Sequence, residues 1–193
     1  FGSLQALAVT EGGTLLVRGG SSSVGMAALS LATGQNLRTI ATTRDSAKAQ
    51  RLRDAGADHV VIDRGDIADD VRAIVPAGPD YVLDLVGTDT LEHSLRLVAR
   101  GGIVCLTGSL ASSWTIEEFE PMVTIPSSTR LTTFHSDTMQ GAAGASALRH
   151  IVDGVAAGRY RANIDRVFRL TDIVDAHHYL EDNRAAGKVV VLT

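Results

Sequence analysis

Leu15-Leu16-Val17-Arg18-Gly19-Gly20-Ser21-Ser22-Ser23-Val24-Gly25 decides the reading of this chain. An apolar run enters a turn of small residues, and behind the turn Val24, Ala27, Ala28 and Leu31 recur at helical spacing. Strand, tight turn and helix in that order aim backbone N–H groups and the positive end of a helix at one place, an arrangement suited to a pyrophosphate. The stretch predicts a dinucleotide site with Gly19, Gly20, Ser21, Ser22, Ser23, Val24 and Gly25 around the diphosphate. A Gly/Ser-rich turn between strand and helix also occurs without any ligand, so the pattern needs support from elsewhere. Ser22 stands where the full fingerprint has a glycine. A side chain there crowds the diphosphate, although a serine hydroxyl can itself donate to a phosphate oxygen. No Gly-Lys-Ser/Thr follows the turn, so the pattern is not that of a nucleoside triphosphate loop.

Outward from this stretch, strand-like and helix-like segments alternate. Strands are predicted at Thr14–Arg18, Leu37–Thr42, His59–Ile62, Tyr81–Leu85 and Ile103–Leu106. Between them lie helices at Ser23–Ala32, at Asp45–Ala55 (stopped by Gly56), around Ile67, Val71 and Ile74, and along Leu91, Leu95 and Val98. Strands spaced by helices with short loops predict βαβ units and an α/β fold, a doubly wound parallel sheet covered on both faces. After Gly108 the rhythm changes. Residues 109–130 read as an irregular excursion, followed by a strand at Leu131–Phe134 and a helical stripe of Leu148, Ile151, Val152 and Val155. A strand at Arg166–Leu170, a helix capped by Thr171 and a strand at Lys188–Leu192 complete the chain.

Composition narrows the function classes. The 193 residues are 45% hydrophobic, enough for one substantial core with a small appendage. The net charge is −4 and no Lys/Arg block appears, which argues against nucleic acid as a partner. No apolar run reaches membrane-spanning length, and no secretory or transit segment opens the chain. The single cysteine, Cys105, excludes an intrachain disulfide and a cysteine-based zinc cluster and fits a reduced, cytoplasmic setting. The start at Phe1 suggests a fragment or a processed product.

In a doubly wound sheet, ligands bind at the C-terminal strand ends. Those ends carry Gly19–Gly25, then Thr42-Thr43-Arg44, Asp84-Leu85-Val86-Gly87 and Leu106-Thr107-Gly108. Turn residues at strand ends are expected of any fold, but Arg44 is not. At the tip of the second strand an acidic residue would grip the ribose 2′-OH of NAD. Here Thr43 and Arg44 stand instead, with Lys48 one helical turn on. A carboxylate repels a 2′-phosphate, whereas an arginine pairs with it through two hydrogen bonds. This favours NADP(H) over NAD(H), against the alternative that Arg44 and Lys48 are solvated charges at a helix start. An S-adenosylmethionine site on a similar sheet would have no use for these cations.

Taken together, these residues resemble the medium-chain dehydrogenase/reductase superfamily, in particular its zinc-free quinone-oxidoreductase branch. The match spans nearly the whole chain: Gly13–Val17, Gly19–Gly25, Ala41–Arg44, Gly56-Ala57-Asp58, Leu83–Gly87, Gly101–Val104 and Gly187–Val191. The resemblance implies that Val24 packs beside the nicotinamide while nearby amides hold the pyrophosphate. Thr43, Arg44 and Lys48 surround the adenosine ribose and its phosphate. Leu85 and Val86 flank the adenine half. Thr107, Gly108 and the strand residues Leu131 and Thr133 meet the nicotinamide carboxamide. It further implies a division into a dinucleotide-binding domain, 1–134, and a stretch, 135–193, that returns to a GroES-like substrate lobe whose N-terminal part this chain lacks.

The activity implied is that of an NADP-dependent oxidoreductase moving hydride to a small-molecule quinone, enone or carbonyl, with this chain alone inactive. The alternatives are the cofactor domain of a zinc-dependent alcohol dehydrogenase and a nucleotide-binding module without turnover. Homodimers through the Leu131–Phe134 edge are a further expectation. Catalytic residues stay unassigned. His135 reads either as a turn residue or as a proton donor near the nicotinamide. His177 and His178 are adjacent on a helix and point apart, which makes a poor metal pair. Cys105 reads as a buried inert thiol, Glu117, Glu118 and Glu120 as a solvated loop, and Trp114 as that loop's packing anchor or a pocket wall.

Overall fold

A computed structural model describes residues 1–110 and 113–193. The chain opens with helix α1 (Gly2–Ala6) and strand β1 (Thr14–Arg18), then runs α2 (Ser23–Thr33), β2 (Arg38–Thr43), α3 (Ala49–Asp54), β3 (His59–Ile62), α4 (Ala68–Ile74), β4 (Tyr81–Asp84), α5 (Thr88–Leu97) and β5 (Ile103–Leu106). Next come the one-turn α6 (Pro121–Thr124), β6 (Arg130–Thr133), α7 (Gly141–Ala156), β7 (Ile164–Arg169), α8 (Ile173–Glu181) and β8 (Lys188–Leu192).

The first six strands form one parallel sheet in the order β3-β2-β1-β4-β5-β6. The chain reverses direction across the sheet between β1 and β4, the switch point whose C-terminal strand ends are where doubly wound sheets bind ligands. Strand alternation divides the core in two. Leu15, Val17, Leu83 and Cys105 pack with Leu4, Leu29 and Leu52 on one face. Leu16, Ile40, Val82 and Val104 pack with Val71, Leu91 and Leu95 on the other. Each such aliphatic side chain taken out of water contributes about 1.5–3 kcal/mol, which is why β1, buried along its whole length, sits at the centre. A separate two-stranded parallel sheet pairs β7 with β8.

Three local expectations need correction. The helix predicted at Asp45–Ala55 is two pieces: a 3-10 turn, Ser46–Lys48, precedes α3, because the Asp45 carboxylate accepts the Ala47 N–H at 2.9 Å and holds a tight first turn. Thr171 does not cap the last helix. A 3-10 turn spans Leu170–Asp172, Asp172 occupies the cap position, and the Thr171 hydroxyl bonds the Asp172 side chain. Trp114 does not anchor its loop by packing, since 81% of its surface is exposed. The short α1 has no counterpart in the sequence reading. Phe134 lies within 2.3 Å of where a Gly2 Cβ would stand, so only glycine lets α1 settle against the end of β6.

Candidate functional site

The turn Gly19–Ser22 is built by close backbone approach. Gly19 adopts φ +73° and is walled by Leu85, Val86 and Leu110, each within 3.5 Å of a notional Cβ. A Cβ on Gly25 would stand 2.7 Å or less from the carbonyl oxygens of both Gly19 and Gly20, so the first turn of α2 can seat itself on the loop only at a glycine. Ser22 caps α2: its Oγ accepts the Gly25 N–H at 3.1 Å. The oxygen is thus held in place while its own proton stays available to donate. The N–H groups of Ser23 and Val24 open α2 with no hydrogen-bond partner among the described residues, and Val24 leaves half its side chain in solvent. Orphan donors at the positive end of an eleven-residue helix can hydrogen-bond an anion, and an exposed apolar side chain stands beside them.

The tip of β2 is stitched to this loop. Gly20 N–H donates to the Thr42 carbonyl at 2.9 Å, Gly19 N–H to Thr42 Oγ1 at 3.2 Å, and Thr43 Oγ1 to Ser21 Oγ at 3.3 Å. Thr43 is buried, whereas Arg44 is exposed and has no hydrogen-bond or ion-pair partner among the described residues. Lys48 behaves differently from the sequence reading. Its ammonium donates to the Asn183 carbonyl (2.6 Å), Asn183 Oδ1 (3.2 Å) and the Ala185 carbonyl (2.9 Å), which uses all three protons. Burial pulls its pKa down, only partly offset by Asp45. Of the two cations read as phosphate ligands, Arg44 alone is uncommitted.

At the end of β4, Asp84 is fully buried and accepts the Val86 and Gly87 N–H groups, the Thr90 hydroxyl and the Ser94 hydroxyl. These bonds fix the turn that sets Leu85 and Val86 against Gly19. Leu85 also backs onto Gly108, whose Cβ would meet the Leu85 carbonyl at 2.6 Å. The loops after β1, β4 and β5 are therefore in mutual contact. Thr107 turns away toward α1, donating to Ser3 Oγ at 3.1 Å and lying 3.3 Å from Cys105 Sγ. Burial raises the Cys105 thiol pKa, in keeping with an inert thiol. Leu131 and Thr133 sit on β6, three strand positions from β1; Leu131 packs into the core and Thr133 is exposed.

The sequence reading missed one buried network. Arg18, fully enclosed, reaches from the end of β1 to Asp63 Oδ2 (2.8 Å), His93 Nδ1 (2.9 Å) and the Thr90 carbonyl (3.4 Å), and His93 Nε2 meets Asp66 Oδ1 at 3.0 Å. Removing one partner from such a buried pair costs about 3–5 kcal/mol. Spacings of 45 and 75 residues hid it, since the sheet order alone brings these positions together.

A model of the family described as zinc-binding dehydrogenases matches residues 55–191. The chain belongs to this family. It is thereby a medium-chain dehydrogenase/reductase of the quinone-oxidoreductase-like group. Among curated relatives it is 28% identical over 192 residues to a quinone oxidoreductase of Lama guanicoe (98% of this chain, 57% of the relative). It is 26% identical to the human synaptic vesicle membrane protein VAT-1 homolog (100% of this chain, 52% of the relative). A mycobacterial protein solved in complex with NADPH superposes with a TM-score of 0.84 at 28% identity, covering 97% of this chain and 58% of that one. The chain thus spans about half the length of the curated relatives it matches. The family's name implies zinc, but among the described residues no group of three His, Cys, Asp or Glu side chains is placed to hold a metal ion. No helix is long and apolar enough to cross a membrane among the described residues.

Proposed function

We propose that this chain is the NADP(H)-binding half of an oxidoreductase that moves hydride between the nicotinamide and a quinone, enone or carbonyl substrate. One observation carries the reading. The tip of β2 is hydrogen-bonded to the glycine loop, so the backbone that carries the uncommitted Arg44 and the orphan amides of Ser23 and Val24 stand on loops tied to each other at one end of the sheet. The diphosphate sits on the Ser21–Gly25 turn, the ribose 2′-phosphate on Arg44, and the adenine beside Leu85 and Val86. Val24 and Gly108 lie along the way to the nicotinamide, with the backbone at Thr107 and around Leu131 to Thr133 beyond. The NADPH complex of the mycobacterial relative supports the same cofactor class.

NADPH, when bound, supplies the hydride. The chain's residues orient it, keep water from one side of it and neutralise its phosphates. Residues 135–193 belong to the substrate lobe, and the rest of that lobe supplies the second wall of the pocket. A cofactor-holding module without turnover in this form is the second reading, favoured by the half-length match to the relatives. Two copies would pair through the free edge of β6, and the free, buried Cys105 suits a reduced cytoplasmic setting.

A fluorescence titration with NADPH tests the binding claim: quenching or enhancement that saturates at micromolar cofactor supports it, and no response at millimolar cofactor overturns it. Quinone reduction by the purified 193-residue chain would reject the second reading.

A further inference from the structure

We propose that His93, acting through Arg18, positions the root of the glycine loop, and does so only as the neutral imidazole with its proton on Nε2. The inference rests on the reading of that loop as the pyrophosphate seat. A guanidinium has donors only, so the ring nitrogen 2.9 Å from Arg18 NH1 must be an acceptor. Nδ1 is therefore bare, and Nε2 carries the hydrogen that Asp66 Oδ1 accepts at 3.0 Å. That contact, after the Ala68 N–H, also helps to hold the Asp66 carboxyl below its ordinary range.

Arg18 has nowhere else to turn. It is completely buried, its Nε lacks a partner among the described residues, Asp63 already takes NH2, and the Thr90 carbonyl stands at 3.4 Å. The next residue is Gly19, at φ +73°, whose N–H is bonded to Thr42 Oγ1 and whose space is closed by Leu85, Val86 and Leu110. The side chain that His93 holds and the backbone that opens the loop are thus one residue apart.

Protonation of His93 puts an N–H on Nδ1. Two donors and two positive charges then meet where one hydrogen bond stood, and the guanidinium must shift. Several other groups bear on His93. They are Asp63 at the end of β3, Asp66 before α4, and Asp84 in β4, which is bonded to Thr90 and Ser94 on either side of His93 along α5. On its own helix are Asp89, Glu92 and Arg96; the last two pair with each other at 3.3 Å, and Arg72 of α4 donates to the Arg96 carbonyl. Protonation therefore loosens the loop without releasing His93 from Asp66.

The test is an NADP⁺ titration at several pH values between about 8 and 5.5. It compares the protein with its His93→Asn variant, whose amide oxygen stands where Nδ1 was and does not titrate. Titration of the cofactor's own phosphate is common to both and cancels. The expected result is that the dissociation constant of the unaltered protein rises about tenfold more on acidification than that of His93→Asn.

A second measurement needs neither cofactor nor variant: ¹⁵N resonances of the His93 ring and of the Gly19 and Gly20 amides, followed over the same range. The Nε2–H tautomer at neutral pH, and glycine amide shifts that follow those of the His93 ring, are expected. An Nδ1–H tautomer, glycine amides indifferent to His93, or equal pH dependence in the two proteins would overturn the proposal. Failure to bind NADP⁺ at any pH, with the co-titration intact, would reject the reading of the loop as a cofactor seat while upholding the coupling.

Discussion

Thr43 Oγ1 donates to Ser21 Oγ across 3.3 Å, and this contact joins the two Thr42 bonds in tying the tip of β2 to the glycine loop. Thr43 also accepts the Asp45 N–H at 3.2 Å, so the same hydroxyl orders the turn that carries Arg44. Replacing Thr43 with Val keeps the shape and removes both bonds. At about 1 kcal/mol for each net hydrogen bond, the variant should lose about 1–2 kcal/mol in a urea melt and bind NADPH several-fold more weakly. Unchanged binding would mean that the Thr43 hydroxyl does not help to position the two ends of the site.

Gly25→Ala tests the close seat of α2. Its methyl would press on two backbone carbonyls that cannot yield as a flexible side chain could. Forced overpacking costs about 1–3 kcal/mol. The expected outcome is a lower melting temperature together with loss of most NADPH affinity. An alanine variant that binds normally would show that the loop accepts a wider turn.

Lys48 bears on the C-terminal segment instead of the cofactor. Lys48→Met should leave the preference for NADPH over NADH within about twofold while destabilising the fold by about 2–3 kcal/mol, since hydrogen bonds from a charged donor are lost and the Asn183 and Ala185 carbonyls are stranded. Hydrogen exchange should quicken around residues 183–186. A selective loss of NADPH affinity in this variant would restore Lys48 as a phosphate ligand.

Cys105 should resist a thiol reagent at neutral pH until the protein is unfolded. Burial raises its folded-state pKa above 9.0. With the sign worked through, its contribution to stability is fully present below 9.0 and is lost as pH climbs from there through the folded value, because the unfolded chain releases the proton first. Rapid labelling of the folded protein would contradict this.

Much of the architecture was legible in the sequence. Runs such as Leu15-Leu16-Val17 and Ile103-Val104-Cys105 can bury both faces only inside a covered parallel sheet. The glycines that punctuate them sit where backbone meets backbone. What escaped depends on residues far apart in sequence. The five-residue α1 is too short to carry a period and is held by Phe134 and Thr107. Lys48 looks like a phosphate ligand until the C-terminal carbonyls arrive from 135 residues away. Arg18 reads as the last residue of a strand, and only the sheet order reveals that Asp63 and His93 surround it. The 3-10 turn before α3 was a matter of local competition: the Asp45 side chain caps one residue sooner than helical periodicity suggests.

The central claim is that Arg44 and the Ser21–Gly25 turn hold opposite ends of one phosphorylated dinucleotide. Isothermal calorimetry of the protein and its Arg44→Ala variant with NADPH and with NADH tests it most directly. The account predicts that the variant loses about 1.5–3 kcal/mol of NADPH affinity, the range for hydrogen bonds to a charged group, and keeps its NADH affinity, so that the preference between the two coenzymes collapses. An unchanged ratio of the two affinities would contradict it.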